Sequence, residues 1–174
     1  MRAYPVFYLT QEMIDEAKKL IPSTKVNRTV ASNIDTLTGH LGEFIFAKWF
    51  YGDWRNNSVG KNKGKTDFPG VEIKTSSFPF SEKLNLLVRE DYAEKRKPEF
   101  YVQLIIDTKN ETEIEALTKV FVCGFATSDE VMKAPLKDFG SKLSDKGGYQ
   151  CRYISIGKLK PMKDFKKEYA KKFS

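Results

Sequence analysis

The stretch Thr66-Asp67-Phe68-Pro69-Gly70-Val71-Glu72-Ile73-Lys74-Thr75-Ser76-Ser77 decides how the rest of the chain is read. Val71, Ile73 and Thr75 are β-formers, so residues 71–76 are expected to form a strand. Its two-residue period puts Glu72, Lys74 and Ser76 on one face and the apolar set on the other. Pro69-Gly70 is a turn signal, because proline presets φ and glycine accepts positive φ. That turn folds Asp67 back towards the start of the strand, so two carboxylates and an ammonium are expected to converge.

Such a trio suits hydrolysis of a phosphodiester. Neighbouring carboxylates repel each other unless a hard cation sits between them, and Mg²⁺ favours a site of one or two carboxylates, waters and phosphate oxygens. The ion would activate a water, and Lys74 would neutralise negative charge developing at the phosphate.

Asp67, four intervening residues and then Glu72-Ile73-Lys74 resemble the active-site motif of the PD-(D/E)XK nuclease superfamily, whose fold is restriction-endonuclease-like. Thr66 stands where that family usually has a proline. Many members carry a glutamate on the preceding helix, and Glu43, within Thr38-Gly39-His40-Leu41-Gly42-Glu43-Phe44-Ile45-Phe46-Ala47, matches that position. A later strand often supplies a polar residue near the site, and Gln103 in the apolar run 100–107 corresponds best. The resemblance spans residues 38–107 and extends further only through the order of elements. It implies Asp67, Glu72 and Glu43 as metal ligands, Lys74 and Gln103 beside them in the catalytic set, and Mg²⁺ as cofactor with Mn²⁺ as a substitute. The implied activity is that of a DNA endonuclease. Within the superfamily, branched DNA (a junction resolvase), DNA ends (an exonuclease) and RNA are alternatives. Outside it, the alternative is a non-catalytic nucleic-acid-binding protein on the same scaffold.

The bulk properties agree with a polyanionic partner. The 174 residues carry a formal net charge of +7, with a pI of about 9.2. They read as one domain, residues 1–174, long enough to bury a substantial core. Cutting both strands of a duplex would favour a homodimer, since one such site severs one strand at a time. Cys123 and Cys151 each lie in apolar stretches without metal-ligand spacing and are expected to be buried and reduced. The opening residues lack a signal-peptide pattern, and no run of 18 apolar residues exists, so an intracellular protein that does not enter a membrane is expected.

The fold class expected is α/β, with one mixed central sheet flanked by helices. A first helix starts after Thr10 as N-cap and stops at Pro22, and a second covers residues 32–51, closed by Gly52. His40, the only histidine, lies one turn before Glu43 and is read as structural rather than as a general base. Trp54 is expected to begin a short strand. Residues 55–65 then form a basic loop in which Arg55, Lys61, Lys63 and Lys65 are the candidates for contact with substrate phosphates. Further strands are expected at 84–88, 100–106 (the central one), 120–125 and 149–156. Helical turns are expected at 90–96 and after Thr127 or Ser128. Residues 133–148 read as a loop, and a basic helix or tail follows residue 158 around Phe165 and Tyr169.

Overall fold

The chain opens with a strand that its sequence does not announce. In the computed structural model, which describes residues 3–24, 30–59, 66–138 and 150–173, β1 (Val6–Tyr8) pairs antiparallel with residues 119–121, most of the chain away. Three residues carry too little periodicity to be seen locally. Thr10 then caps α1 (Gln11–Thr24), its hydroxyl accepting the Met13 N–H at 3.1 Å. Met13, Ile14 and Ala17 are buried at helical spacing. The helix does not stop at Pro22 as expected but runs two residues further, because a proline in the last turn forfeits only one N–H bond.

In α2 (Val30–Tyr51), every residue from His40 to Ala47 except Glu43 is buried, so the helix has protein on nearly all sides. Gly52, at φ +85°, ends it by donating its N–H to the Lys48 carbonyl at 2.9 Å. Trp54 lies in a turn, not in a strand. Its ring packs 5.0 Å from that of Phe44, so this large aromatic plugs the core and does not belong to a pleated surface.

The remaining elements are β2 (Val71–Phe78), β3 (Asn85–Arg89), α3 (Glu90–Arg96), β4 (Phe100–Asp107), β5 (Lys119–Thr127), α4 (Ser128–Lys133), β6 (Leu136–Asp138), β7 (Gln150–Ser155) and α5 (Phe165–Phe173). Thr127 caps α4 in a reciprocal capping box with Glu130. The stretch expected to be a loop contains β6, whose three residues are all exposed and so show no alternation to read.

The strands divide between two sheets where one was expected. The first is mixed, ordered β1-β5-β4-β2, with β2 parallel to β4 and lying at the sheet's edge. The second, β3-β7-β6, is antiparallel. β4 is already flanked on both sides, so Leu86 and Val88 of β3 cover its face instead of joining its edge. Alternation along β4 divides the core: Phe100, Val102, Leu104 and Ile106 pack under α1, α2 and α5. Tyr101 and Ile105 face the second sheet with α3 and α4. Burial on both faces explains the unbroken apolar run that marks β4 as central. Cys123 and Cys151 are free and buried as expected. Among the described residues no helix is long and apolar enough to cross a membrane.

Candidate functional site

The turn before β2 forms as its residues dictate. Phe68 and Val71 exchange N–H to carbonyl hydrogen bonds of 3.0 and 2.9 Å, and Gly70 between them takes φ +73°. Asp67 is thereby laid along the open edge of β2, where its Oδ2 accepts the Ile73 N–H at 2.9 Å. The turn is held from outside by α5. The Tyr169 hydroxyl donates to the Pro69 carbonyl at 3.0 Å, and the Phe173 ring covers Gly70 so closely that a Cβ there would lie 2.1 Å from its Cζ.

On the helix side, α2 approaches β2 without the usual side-chain spacing. A Cβ on Gly42 would lie 1.8 Å from Thr75 Oγ1, and one turn earlier the hydroxyls of Thr38 and Ser77 meet at 2.9 Å in a buried hydrogen bond. Glu43, next to Gly42, is therefore carried to the same edge as Asp67. Its carboxyl group is hydrogen-bonded to Asp67 and also feels Glu72. Burial, then the charge of Asp67, then that of Glu72 push its pKa from 4.5 up to about 9. Glu43 thus holds a proton at neutral pH. Glu72, only 6% exposed, arises from the opposite face of β2, the face of Tyr101 in the register with β4.

His40 lies within the field of Asp67 and is buried. Burial lowers its pKa to about 4, although the Asp67 charge works in the other direction, so the imidazole is neutral at pH 7. Lys74 shares the face of Glu72 and is half-buried, opposite Gln103 in the register. Its charge reaches Cys151 on the second sheet, whose thiol burial pushes up while Arg89 and Lys74 pull it down. Gln103 is buried, with its amide nitrogen 2.9 Å from the Leu104 carbonyl and 3.5 Å from Ser76 Oγ.

Glu43 is thus hydrogen-bonded to Asp67 and feels the charge of Glu72, while Lys74 follows Glu72 on β2 and faces Gln103 across the register with β4. Arg55 is differently engaged: it pairs with Glu12 and Asp53 and stacks over Trp54 at 4.7 Å. Lys61, Lys63 and Lys65 lie outside the described residues. Sequence reading missed the contact of His40 with this site, the Thr38–Ser77 bond and the clamp by α5. The small residues at 38, 39 and 42 were the available signal for close helix–strand packing.

Among the described residues no three His, Cys, Asp or Glu side chains are arranged as a ready-made metal site. Glu43 and Asp67 are turned towards each other by the proton between them. The donor set nevertheless fits a hard divalent cation. It consists of carboxylate oxygens only, and the proton that burial and then the neighbouring Asp67 keep on Glu43 is one that a cation would replace. No family model, curated protein or solved structure matches the chain.

Proposed function

We propose that the protein is a Mg²⁺-dependent nuclease of restriction-endonuclease-like fold, acting on DNA as an endonuclease. The observation that carries this reading is the hydrogen bond of Glu43 on α2 with Asp67 at the edge of β2, with Glu72 near enough for its charge to act on Glu43. The resemblance of Asp67, Glu72 and Lys74 to the PD-(D/E)XK motif supports the same reading, as does the net charge of +7.

Asp67 and Glu72 would hold the ion, and Glu43 would join them after giving up its proton. A cation held there would make a bound water acidic enough to lose a proton at neutral pH and serve as nucleophile, and would offer positive charge to the phosphate oxygens. Asp67 is kept in place by the Ile73 N–H, so its geometry is set before any ligand arrives. Lys74 places a positive charge on the face of Glu72, where it favours the build-up of negative charge on the phosphate. Gln103 donates its amide N–H towards Ser76 Oγ at 3.5 Å, on the same strand as Lys74.

Plasmid, linear duplex, single-stranded DNA, a four-way junction and RNA, each with Mg²⁺, Mn²⁺ or EDTA, test the reading. Cleavage should require metal. Glu72→Gln should abolish it while retaining or tightening binding, and Lys74→Ala should slow it by about two to four orders of magnitude. A wild type that cuts nothing, with variants that bind as it does, would leave a binding protein. Equal cutting by Glu72→Gln would move the active site elsewhere.

A further inference from the structure

Next to the carboxylate edge the protein exposes aromatic rings where it could have buried them. Tyr51, the last residue of α2, and Phe173, in the last turn of α5, are each 45% exposed. They flank the turn that carries Asp67: the Tyr51 ring lies 6.1 Å from that of Phe68, and Phe173 covers Gly70. The rings between them form a continuous support. Phe173 stacks on Tyr169 at 4.5 Å, Tyr169 meets Phe50 at 5.1 Å, and Phe50 meets Tyr51 at 4.9 Å. The two half-exposed rings are therefore braced by neighbouring rings, stacked for Phe173 and edge-on for Tyr51, and lose little freedom on binding a planar partner.

The surroundings are basic. α5 carries Lys166, Lys167, Lys171 and Lys172 against the single acid Glu168. Lys167 and Lys171 are exposed one turn apart on its outer side, and Lys48 is exposed in the last turn of α2. Along α2, Glu43 and Tyr51 are eight residues apart, roughly 12 Å at 1.5 Å per residue, a spacing that a few nucleotides of single strand cover easily. Flat, supported rings with lysines around them have the chemistry of a site that stacks bases and neutralises the phosphates between them.

We propose that Tyr51, Phe173 and the α5 lysines form a platform for an unpaired stretch of nucleic acid, with its backbone leading into the carboxylate cluster. The proposal rests on the nuclease reading of that cluster and sharpens its substrate to nucleic acid with single-stranded character beside the cut. A continuous duplex keeps its bases stacked on each other and offers neither ring a free face.

The test is fluorescence anisotropy with a labelled single-stranded DNA oligonucleotide, the same sequence as RNA, and the DNA as duplex, all in EDTA so that nothing is cut. Tyr51→Leu and Phe173→Leu keep apolar cover over the turn but remove the stacking face, and thermal melting verifies that they fold. Each should weaken single-strand binding by about 5- to 150-fold, the worth of one base–aromatic stack, and leave duplex binding unchanged. The DNA and RNA arms tell which backbone the platform takes. Unchanged single-strand binding, or equal loss on single strand and duplex, overturns the platform. Capture of anionic lipid vesicles with no oligonucleotide bound also overturns it. Because binding is read without turnover, a platform that fails while Glu72→Gln still abolishes cleavage leaves the nuclease intact. The opposite pattern keeps the platform on a protein that only binds.

Discussion

At neutral pH the proton on Glu43 sits in its hydrogen bond with Asp67, and a second buried group close by, His40, does without one. The folded protein keeps the Glu43 proton up to about pH 9, whereas the unfolded chain gives it up near 4.5. Over that window the folded state binds more protons, so its stability falls as pH rises. His40 works in reverse: its pKa is about 4 when folded and 6.5 when unfolded, so its contribution rises with pH between those values. The two slopes oppose each other up to about pH 6.5, and above it Glu43 alone remains. Urea denaturation in EDTA should therefore show stability declining from pH 6.5 to 9, by up to about 1.4 kcal/mol per pH unit. Glu43→Gln, whose amide can donate to Asp67 as the protonated acid does, should flatten that decline, and a decline unchanged in the variant would place the titrating group elsewhere. Asp67, Glu72 and Lys74 were legible in the sequence because a turn and a two-residue period relate them within eight positions. Glu43 was found only through a resemblance, and the environment of His40 not at all, since no local rule tells which part of a strand edge a helix residue will meet.

The closeness of α2 to β2 depends on single atoms. Gly42 lies against Thr75, whose Oγ1 is buried without a hydrogen-bond partner, while Gly39, one turn earlier, has nothing within 4 Å of where its Cβ would be. Gly39→Ala should stabilise the protein by about 0.5–1 kcal/mol, the ordinary gain of alanine over glycine within a helix. Gly42→Ala should instead cost about 1–3 kcal/mol through overpacking. It should also reduce metal-dependent turnover, because Glu43 moves with the helix. Thermal melts and turnover of the pair decide this, and similar behaviour of both variants would show that the contact yields freely. Elements with strong internal pattern, α1, α2, β4 and β5, could be read directly. β1 and β6 could not, because each is three residues long and made a strand by its partner: Val6 and Tyr8 by β5, and the wholly exposed Leu136 to Asp138 by β7.

For the molecule as a whole, α/β character followed from the alternation of strand-like and helical runs. The division into two sheets did not, because the same alternation in β3 serves equally for pairing beside β4 or for covering its face. Among the described residues β2 has a neighbouring strand on one side only, and a strand edge of that kind is a template on which a second molecule can add its own strand. Asp67 occupies that edge by taking the Ile73 N–H. The acid proposed for chemistry would therefore also guard against self-association, and substitutions there test two things at once. Asp67→Asn retains an oxygen for the Ile73 N–H and should remain as dispersed as the wild type. Asp67→Ala bares the edge and should form larger species on size exclusion with light scattering, increasingly so with concentration. Should the two variants elute alike, the edge is protected by other means. If only Asp67→Ala associates, selection for activity and selection for solubility press on the same carboxylate, so a homologue that had lost the reaction could still have reason to keep it.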